Sequence, residues 1–239
     1  MQDLVDSALA DTDAYNNPYF TALRDGSFAK EDFVETQIQF FYAVVFFSRP
    51  MAVVAAKIPS AEMRVEVMRN VWEEHGEGDP MAMHGATFLE LLRRLAGIDL
   101  DEIDHRVLWP ELRSFNTALI GCATMDDWEV GTACFGIIER MFVDFSSWIG
   151  NAIIDHGWLS EDQLVHYKFH KEIDIKHSAD FFSVLEHSGE MDERTRYCVD
   201  QGLRMGAYLF DQLYAGMFRA RKRRLRTSVQ RVQTNFYRG

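Results

Sequence analysis

His170, Asp174 and His177 have the types and the spacing to hold a metal ion. On an α-helix, at about 100° per residue, His170 and His177 differ by only about 20°, and Asp174 lies within roughly 60° of both. Mixed imidazole and carboxylate ligands suit iron or a related first-row metal better than calcium or magnesium, which prefer oxygen alone. The chemistry this run points to is oxygen or redox chemistry. The plain alternative is a solvated polar face, and Lys171, Glu172 and Lys176 already belong to one. Against it, the stripe runs on to Phe181 and Val184, which sets the histidines on the core side. Asp174 and His177 also have the i, i+3 spacing with which helical bundles build metal sites.

Glu139 is the second informative residue. Its helical neighbours are Phe135, Gly136, Phe142 and Val143. A carboxylate on an apolar face must be paired, protonated or bound to metal, and a buried ion pair explains it as well as a ligand role does. The third segment runs from Asn70 to His84 and holds Glu74 and Glu77. In one unbroken helix Glu74 and His84 would stand about 15 Å apart and roughly 80° out of phase. Gly76, Gly78 and Pro80 predict a break that can bring them together. A continuous helix would instead favour Glu77 with His84, and a polar turn between two helices is the plain reading. His75, His105, His156, His166 and His187 receive no role.

The elements that must position these residues are helical. Apolar residues recur at i, i+3, i+4 through nearly every segment, and no alternating strand pattern or hairpin turn competes. Asn17-Pro18 opens a short helix ending near Gly26. Ala29 to about Ser48 is a long apolar helix that Pro50 breaks. Residues 60–75 form another, started by the Ser60 cap, with Met63 and Val67 inward. Asp79-Pro80 reads as a cap followed by proline at the first helical position, opening a helix that ends near Gly97. Residues 111–122, 126–155, 160–187 and 191–225 complete an all-α bundle of seven or eight helices. With no repeat and no linker, residues 1–239 read as one domain with a basic C-terminal tail from about 219 to 239.

Composition agrees. The chain has 239 residues, 47% of them hydrophobic and 13% aromatic, ample for one substantial core. No stretch approaches the length of a membrane span, and the longest apolar run is 40–47. The N-terminus is acidic and shows no signal-peptide h-region. Three cysteines, Cys122, Cys134 and Cys198, read as reduced, buried thiols of a cytoplasmic protein. The net charge is −12, yet residues 219–239 carry eight Arg or Lys and no acid. That basic run reads as a solvated helix C-terminus complementing the helix dipole. No basic patch with interleaved aromatics supports a nucleic-acid partner.

Taken in order, Glu, His, Glu and then His-x3-Asp-x2-His on an all-helical background resembles the heme-oxygenase-like diiron oxidases and oxygenases, also described as iron-containing redox enzymes. The resemblance begins near Asn17-Pro18 and runs through the aromatic helix 30–48. It includes Asn70-x3-Glu74-x-Gly76-x-Gly78-Asp79 with His84, and closes with Glu139, His170, Asp174 and His177. It implies the heme-oxygenase-like fold and six ligands for two nonheme irons: Glu74, His84, Glu139, His170, Asp174 and His177, with Glu77 as the fallback for Glu74. It also implies O2 as co-substrate. Two irons together can supply electrons to O2 and form an oxidant. Relatives act on amino acids, their derivatives and fatty acids. Their outcomes are desaturation, C–C fragmentation, N-oxygenation, decarboxylation to alkenes and nitrile formation, which the ligand set does not separate. A small-molecule substrate, an external electron donor and a homodimer follow as the expected partners, with no nucleic acid and no membrane.

The helix around 37–47 is a candidate wall for the substrate cavity. Phe41, Tyr42, Arg49 and Phe142 are candidate substrate contacts, and Arg49 or Arg140 could clamp a carboxylate in bidentate fashion. Other readings stay open. Heme would need a proximal histidine near the N-terminus, and the first histidine is His75. Thiaminase-like relatives use a cysteine, for which Cys134 is the candidate. Quinone-synthase-like relatives oxidise without metal in a histidine- and arginine-rich pocket. A non-catalytic helical interaction protein, its basic tail binding a partner, is the rival of a different kind.

Overall fold

The structure is a computed structural model. It describes residues 1–187 and 191–229, and the side chains of 168–174 lie outside that description. The described residues form ten α-helices, α1 (Gln2–Thr12), α2 (Pro18–Asp25), α3 (Lys30–Lys57), α4 (Ala61–Glu74), α5 (His84–Ala96), α6 (Leu100–Asp104), α7 (Pro110–Met125), α8 (Trp128–Asp155), α9 (His166–Glu186) and α10 (Glu193–Ala220), with three single-turn 3-10 segments at Ala14–Asn16, Gly76–Gly78 and Glu161–Gln163. The all-helical expectation holds. The count exceeds it by the short α1 and α6. Leu4, Val5 and Ala8 hold α1 to the core, and the Asp99 side chain caps α6 by accepting from Glu102 N.

Several helix ends follow from local chemistry. The Asn17 side chain accepts from Tyr19 N and Pro18 takes the first helical position of α2. Gly26 and Gly97 end α2 and α5 in the left-handed conformation. Ser60 Oγ accepts from Met63 N at the start of α4, and Val67 is buried as expected while Met63 is half-buried.

Three expectations fail for physical reasons. Pro50 does not break α3, which continues to Lys57. Proline removes one backbone donor, but Met51, Val54 and Ala55 beyond it are fully buried. Their burial, worth about 1.5–3 kcal/mol for a large side chain, offsets the lost bond. Continuity past Pro50 also makes α3 long and apolar enough, by length and composition, to cross a membrane. Of its most apolar 18-residue window, 56% is buried inside the protein, as in a core helix. The helix expected at Asp79-Pro80 starts instead at His84. Asp79 caps only a turn, its Oδ1 accepting from Met81 N.

The last helix ends at Ala220 rather than near 225, and the chain beyond it turns back. Leu225 O accepts from Val107 N, and Thr227 N donates to His105 O. Arg223 meets Glu111 at 2.9 Å, Arg224 meets Asp32 at 2.6 Å, and Arg226 meets Glu102 at 3.1 Å. The basic run is matched by the protein's own acids rather than simply solvated.

At the centre α8 packs against α9 on one side and α10 on the other. Glycines set both spacings. A Cβ on Gly202 or Gly206 would lie 2.3 or 2.4 Å from a backbone carbonyl of α8, so only hydrogen fits there. A Cβ on Gly136 would lie 2.8 Å from the Phe182 ring on α9. These approaches bring α8 and α9 close enough for side chains on their facing stripes to meet.

Candidate metal centre

The centre is built from α4, α5, α8 and α9. On α4 the residues Val67, Asn70 and Glu74 fall at helical spacing on one face, and Val67 and Asn70 are fully buried. Asn70 Nδ2 donates to the His177 carbonyl at 3.3 Å, bracing α4 on α9. The helix then stops at Glu74. His75 caps it, Gly76–Gly78 form a 3-10 turn, and Glu77 sits there at φ 53°. The chain reverses and re-enters a helix at His84.

This break brings His84 Nδ1 to 2.8 Å from Glu74 Oε1. Both side chains are largely buried. Glu77 points into solvent and takes no part. A Cβ on Gly76 would lie 2.6 Å from Met83 N, so the reversal is too tight for any other residue there.

Glu139 on α8 and His177 on α9 complete the group. One carboxylate oxygen each from Glu74 and Glu139 and one ring nitrogen of His177 all lie within 4.8 Å of one another. Glu139 is 4% exposed and His177 fully buried. His177 Nδ1 stands 3.8 Å from Glu139 Oε1, beyond hydrogen-bond distance. Its other nitrogen, Nε2, is 2.7 Å from Glu73 Oε2, and Lys176 Nζ pairs with the second oxygen of Glu73. Burial pushes the Glu73 carboxyl up, but the bonds and charges of Lys176 and His177 outweigh it and hold it below the ordinary range. An ionised acceptor at Nε2 assigns the ring proton there and leaves the Nδ1 lone pair facing the two carboxylates.

Four of the six expected ligands, Glu74, His84, Glu139 and His177, are therefore brought together. The other two, His170 and Asp174, lie outside the described side chains. The donor chemistry fits iron: two carboxylates and two imidazoles, with Glu139 and His177 buried among apolar side chains.

Two residues were overlooked in the sequence. Glu73 is the orienting partner of His177. It follows Asn70 by three on the inward side of α4, a spacing that was legible. His166 is buried, accepts or donates at Nδ1 with Thr87 Oγ1 at 3.0 Å, and its ring faces His84 with centroids 6.3 Å apart. It stands one turn before His170, so the stripe already pointed to it.

Two cavities meet at this group. The inner one, about 50 Å³, is lined by Phe40, Ala43, Val44 and Phe47 of α3, with Glu74, His84, Glu139 and His166 at its polar wall; Phe115, Ile138, Phe142 and Phe210 close it. The outer one, about 510 Å³, is lined by Val45, Ser48, Arg49, His75, Met83 and Gly85. Val44, Glu74 and His84 line both. Of the expected substrate contacts, Phe142 lines the inner cavity and Arg49 the outer.

Phe41 and Tyr42 line neither. They lie on the wrong face of α3, and the Tyr42 hydroxyl donates to Ile103 O at 2.7 Å. Arg140 pairs along its own helix with Asp144 at 3.0 Å. Cys134 is buried away from both cavities, where a hydrogen bond with Cys122 and burial raise its thiol well above the ordinary value.

Residues 34–210 match the sequence family described as iron-containing redox enzyme. The chain belongs to the iron-containing redox enzyme family. None of the curated proteins matches it in sequence. Among solved structures, this family member is similar to a domain of unknown function with a heme oxygenase-like fold from Shewanella denitrificans OS217, with TM-score 0.76 and 13% identity over 92% of this chain and 91% of that one. It is also similar to a TenA homologue from P. horikoshii OT3, with TM-score 0.67 and 13% identity over 90% and 98%. A third is a CADD-like protein of unknown function from Nostoc punctiforme PCC 73102, with TM-score 0.70 and 14% identity over 91% and 96%. At these identities the likeness shows the fold, a heme-oxygenase-like bundle.

Proposed function

We propose that this iron-containing redox enzyme is an O2-dependent nonheme diiron oxidase or oxygenase acting on a small carboxylate or amino-acid-derived substrate. The observation that carries the reading is the buried Glu74–Glu139–His177 group, its donor atoms within 4.8 Å of one another at the wall of a cavity. Glu74, His84, Glu139 and His177 would hold iron, and His170 and Asp174, on the same helix as His177, would complete two sites. Bound iron would supply the electrons that O2 needs to become an oxidant.

The protein's own contribution is positional. Glu73 turns His177 so that a lone pair faces the carboxylates. Phe135, Ile138 and Phe142 surround Glu139 on α8 and keep water from it. A carboxylate so desolvated strongly favours a cation beside it. The apolar inner cavity keeps substrate next to the group and solvent out.

The test is anaerobic Fe(II) titration followed by O2 exposure, with amino acids and fatty acids as trial substrates. The expected result is two irons per chain and substrate-dependent O2 uptake, both lost in Glu139→Ala and His177→Ala. Full iron content and full activity in both variants would refute the reading. The fold shared with a TenA homologue supports a second reading, a metal-free enzyme with a cysteine nucleophile. Cys134 does not favour it, because its thiol is buried off the cavities and held protonated. Unchanged substrate turnover after iron removal would favour this second reading.

A further inference from the structure

The reversal between α4 and α5 sets Glu74 against His84, yet it has no core of its own. No residue of 75–83 is buried, whereas Asn70 before it and His84 after it are. Gly76, Glu77 and Gly78 follow one another at φ 63°, 53° and 92°. Such a run of positive φ persists only where the surroundings over-determine it. The segment's own bonds are short in range and made by unburied residues. Gly78 N donates to His75 O at 3.2 Å, Asp79 N to Gly76 O at 2.8 Å and Ala82 N to Asp79 O at 3.1 Å. Water competes for bonds of this kind, so each contributes little.

Trp72 adds a contact from outside the segment. It is exposed and stands apart from the hydrophobic core, in an outward stripe with Val65 and Met68 at i, i+3, i+7 of α4. The far edge of its indole lies on Gly78: a Cβ there would meet Cη2 at 3.0 Å and Cζ2 at 3.4 Å. Glycine is thus required at 78 twice, by its φ and by the ring above it. Trp72 lines neither cavity. It is two residues from Glu74, about 200° round the helix, on the side away from the centre.

We propose that Trp72 is the positioning residue of the centre: its indole clasps the 75–83 reversal at Gly78 and so holds His84 against Glu74. Without the clasp the segment samples open forms in which the two side chains part, and a metal that needs both must bear the cost of ordering them. This inference rests on the proposed function for the metal, but not for the contact between Glu74 and His84.

The test is hydrogen exchange and His84 ring NMR on the metal-free full chain, followed by anaerobic Fe(II) titration. Trp72→Ala should speed exchange of the Gly78, Asp79 and Ala82 amides by about fivefold or more and shift or broaden the His84 ring signals. Its melting temperature should stay nearly unchanged, because the opening is local. Fe(II) affinity should fall by about three- to tenfold, the drop in the share of closed segment. Trp72→Phe, whose ring stops short of Cζ2 and Cη2, should keep only part of the protection. Met68→Ala, in the same stripe but off the segment, should change none of these. Gly78→Ala combined with Trp72→Ala should lose less protection than the sum of the two, since the new methyl meets the indole only when Trp72 is present.

Unchanged exchange in Trp72→Ala, or equal acceleration in Met68→Ala, would overturn the proposal. Faster exchange with unchanged His84 signals and unchanged Fe(II) affinity would overturn it too, leaving Trp72 a prop for the loop alone. A wild type that takes up no iron would sink the proposed function, while exchange and the His84 signals still decide the clasp.

Discussion

Glu73→Gln tests the arrangement most directly. Glu73 touches no substrate cavity. It accepts from His177 Nε2 at 2.7 Å and pairs with Lys176 through its other oxygen. Glutamine keeps the shape and one acceptor but loses the charge that holds the ring proton on Nε2. Removing an outer partner of a metal-bound histidine costs about 10- to 100-fold in metal affinity, or about 1.4–2.7 kcal/mol. At a fixed iron concentration above the dissociation constant, the same amount disappears from the stability that bound iron confers. For a chain of this size that is a fall of about 3–10 °C in the melting temperature of the iron-loaded protein.

The iron-free Glu73→Gln protein should melt nearly unchanged, because glutamine still accepts from His177 Nε2 and the lost Glu73–Lys176 ion pair is partly exposed and contributes little; iron-free Glu73→Ala should lose about 1–3 kcal/mol, because it leaves the buried His177 Nε2 without an acceptor. The assay is anaerobic Fe(II) titration with thermal melts at each concentration, run on wild type, Glu73→Gln and Glu73→Ala. Glu73→Ala should lose as much affinity as Glu73→Gln or more. Unchanged iron affinity in both variants would refute the argument that Glu73 sets His177 for a metal.

Saturating wild-type protein with Fe(II) at about a hundred times its dissociation constant should add about 2.7 kcal/mol of stability, read as a rise in melting temperature that chelator reverses. Cys134→Ala should leave iron content and O2 uptake unchanged, since the thiol lies off the cavities; loss of turnover would revive the cysteine-nucleophile reading. Gly206→Ala should destabilise by about 1–3 kcal/mol through overpacking, because its new methyl would meet the Cys134 carbonyl at 2.4 Å; urea unfolding reads this directly. Burial raises the Glu35 carboxyl despite Arg106 and Arg224 beside it, so the folded state binds its proton more tightly than the unfolded chain. Stability from this group therefore falls as pH rises through the window between the ordinary carboxylate value and the raised one. The stability of Glu35→Gln minus that of wild type should climb with pH across that window and be level elsewhere, and a decline instead would mean that the arginines outweigh burial.

Much of the site is legible along the chain because its parts are properties of single helices. Glu139 stands among Phe135, Gly136, Phe142 and Val143 at helical spacing, and the structure buries it as that pattern requires. His177 shares a stripe with Phe181 and Val184, and all three are buried. Helix ends at Gly26 and Gly97, and caps at Asn17 and Ser60, depend on a few neighbouring residues and were readable for that reason. The all-helical class follows from the same period repeated over nearly the whole chain.

Tertiary structure decided what depends on contacts between helices. The break at 75–83 left Glu74, Glu77 and the spacing to His84 open in the sequence, and only the fold shows Glu74 meeting His84 with Glu77 in solvent. Glu73 gained its partner from a helix a hundred residues away, through the Asn70 brace. Pro50 stays inside α3 because the residues after it are buried by α3's neighbours, a gain no local rule contains. The basic run after Ala220 folds back because Asp32, Glu102 and Glu111 happen to lie within reach. Periodicity tells a helix which face turns inward. The distance between two inward faces is set by what packs between them, and here that is the hydrogen of Gly136, Gly202 and Gly206.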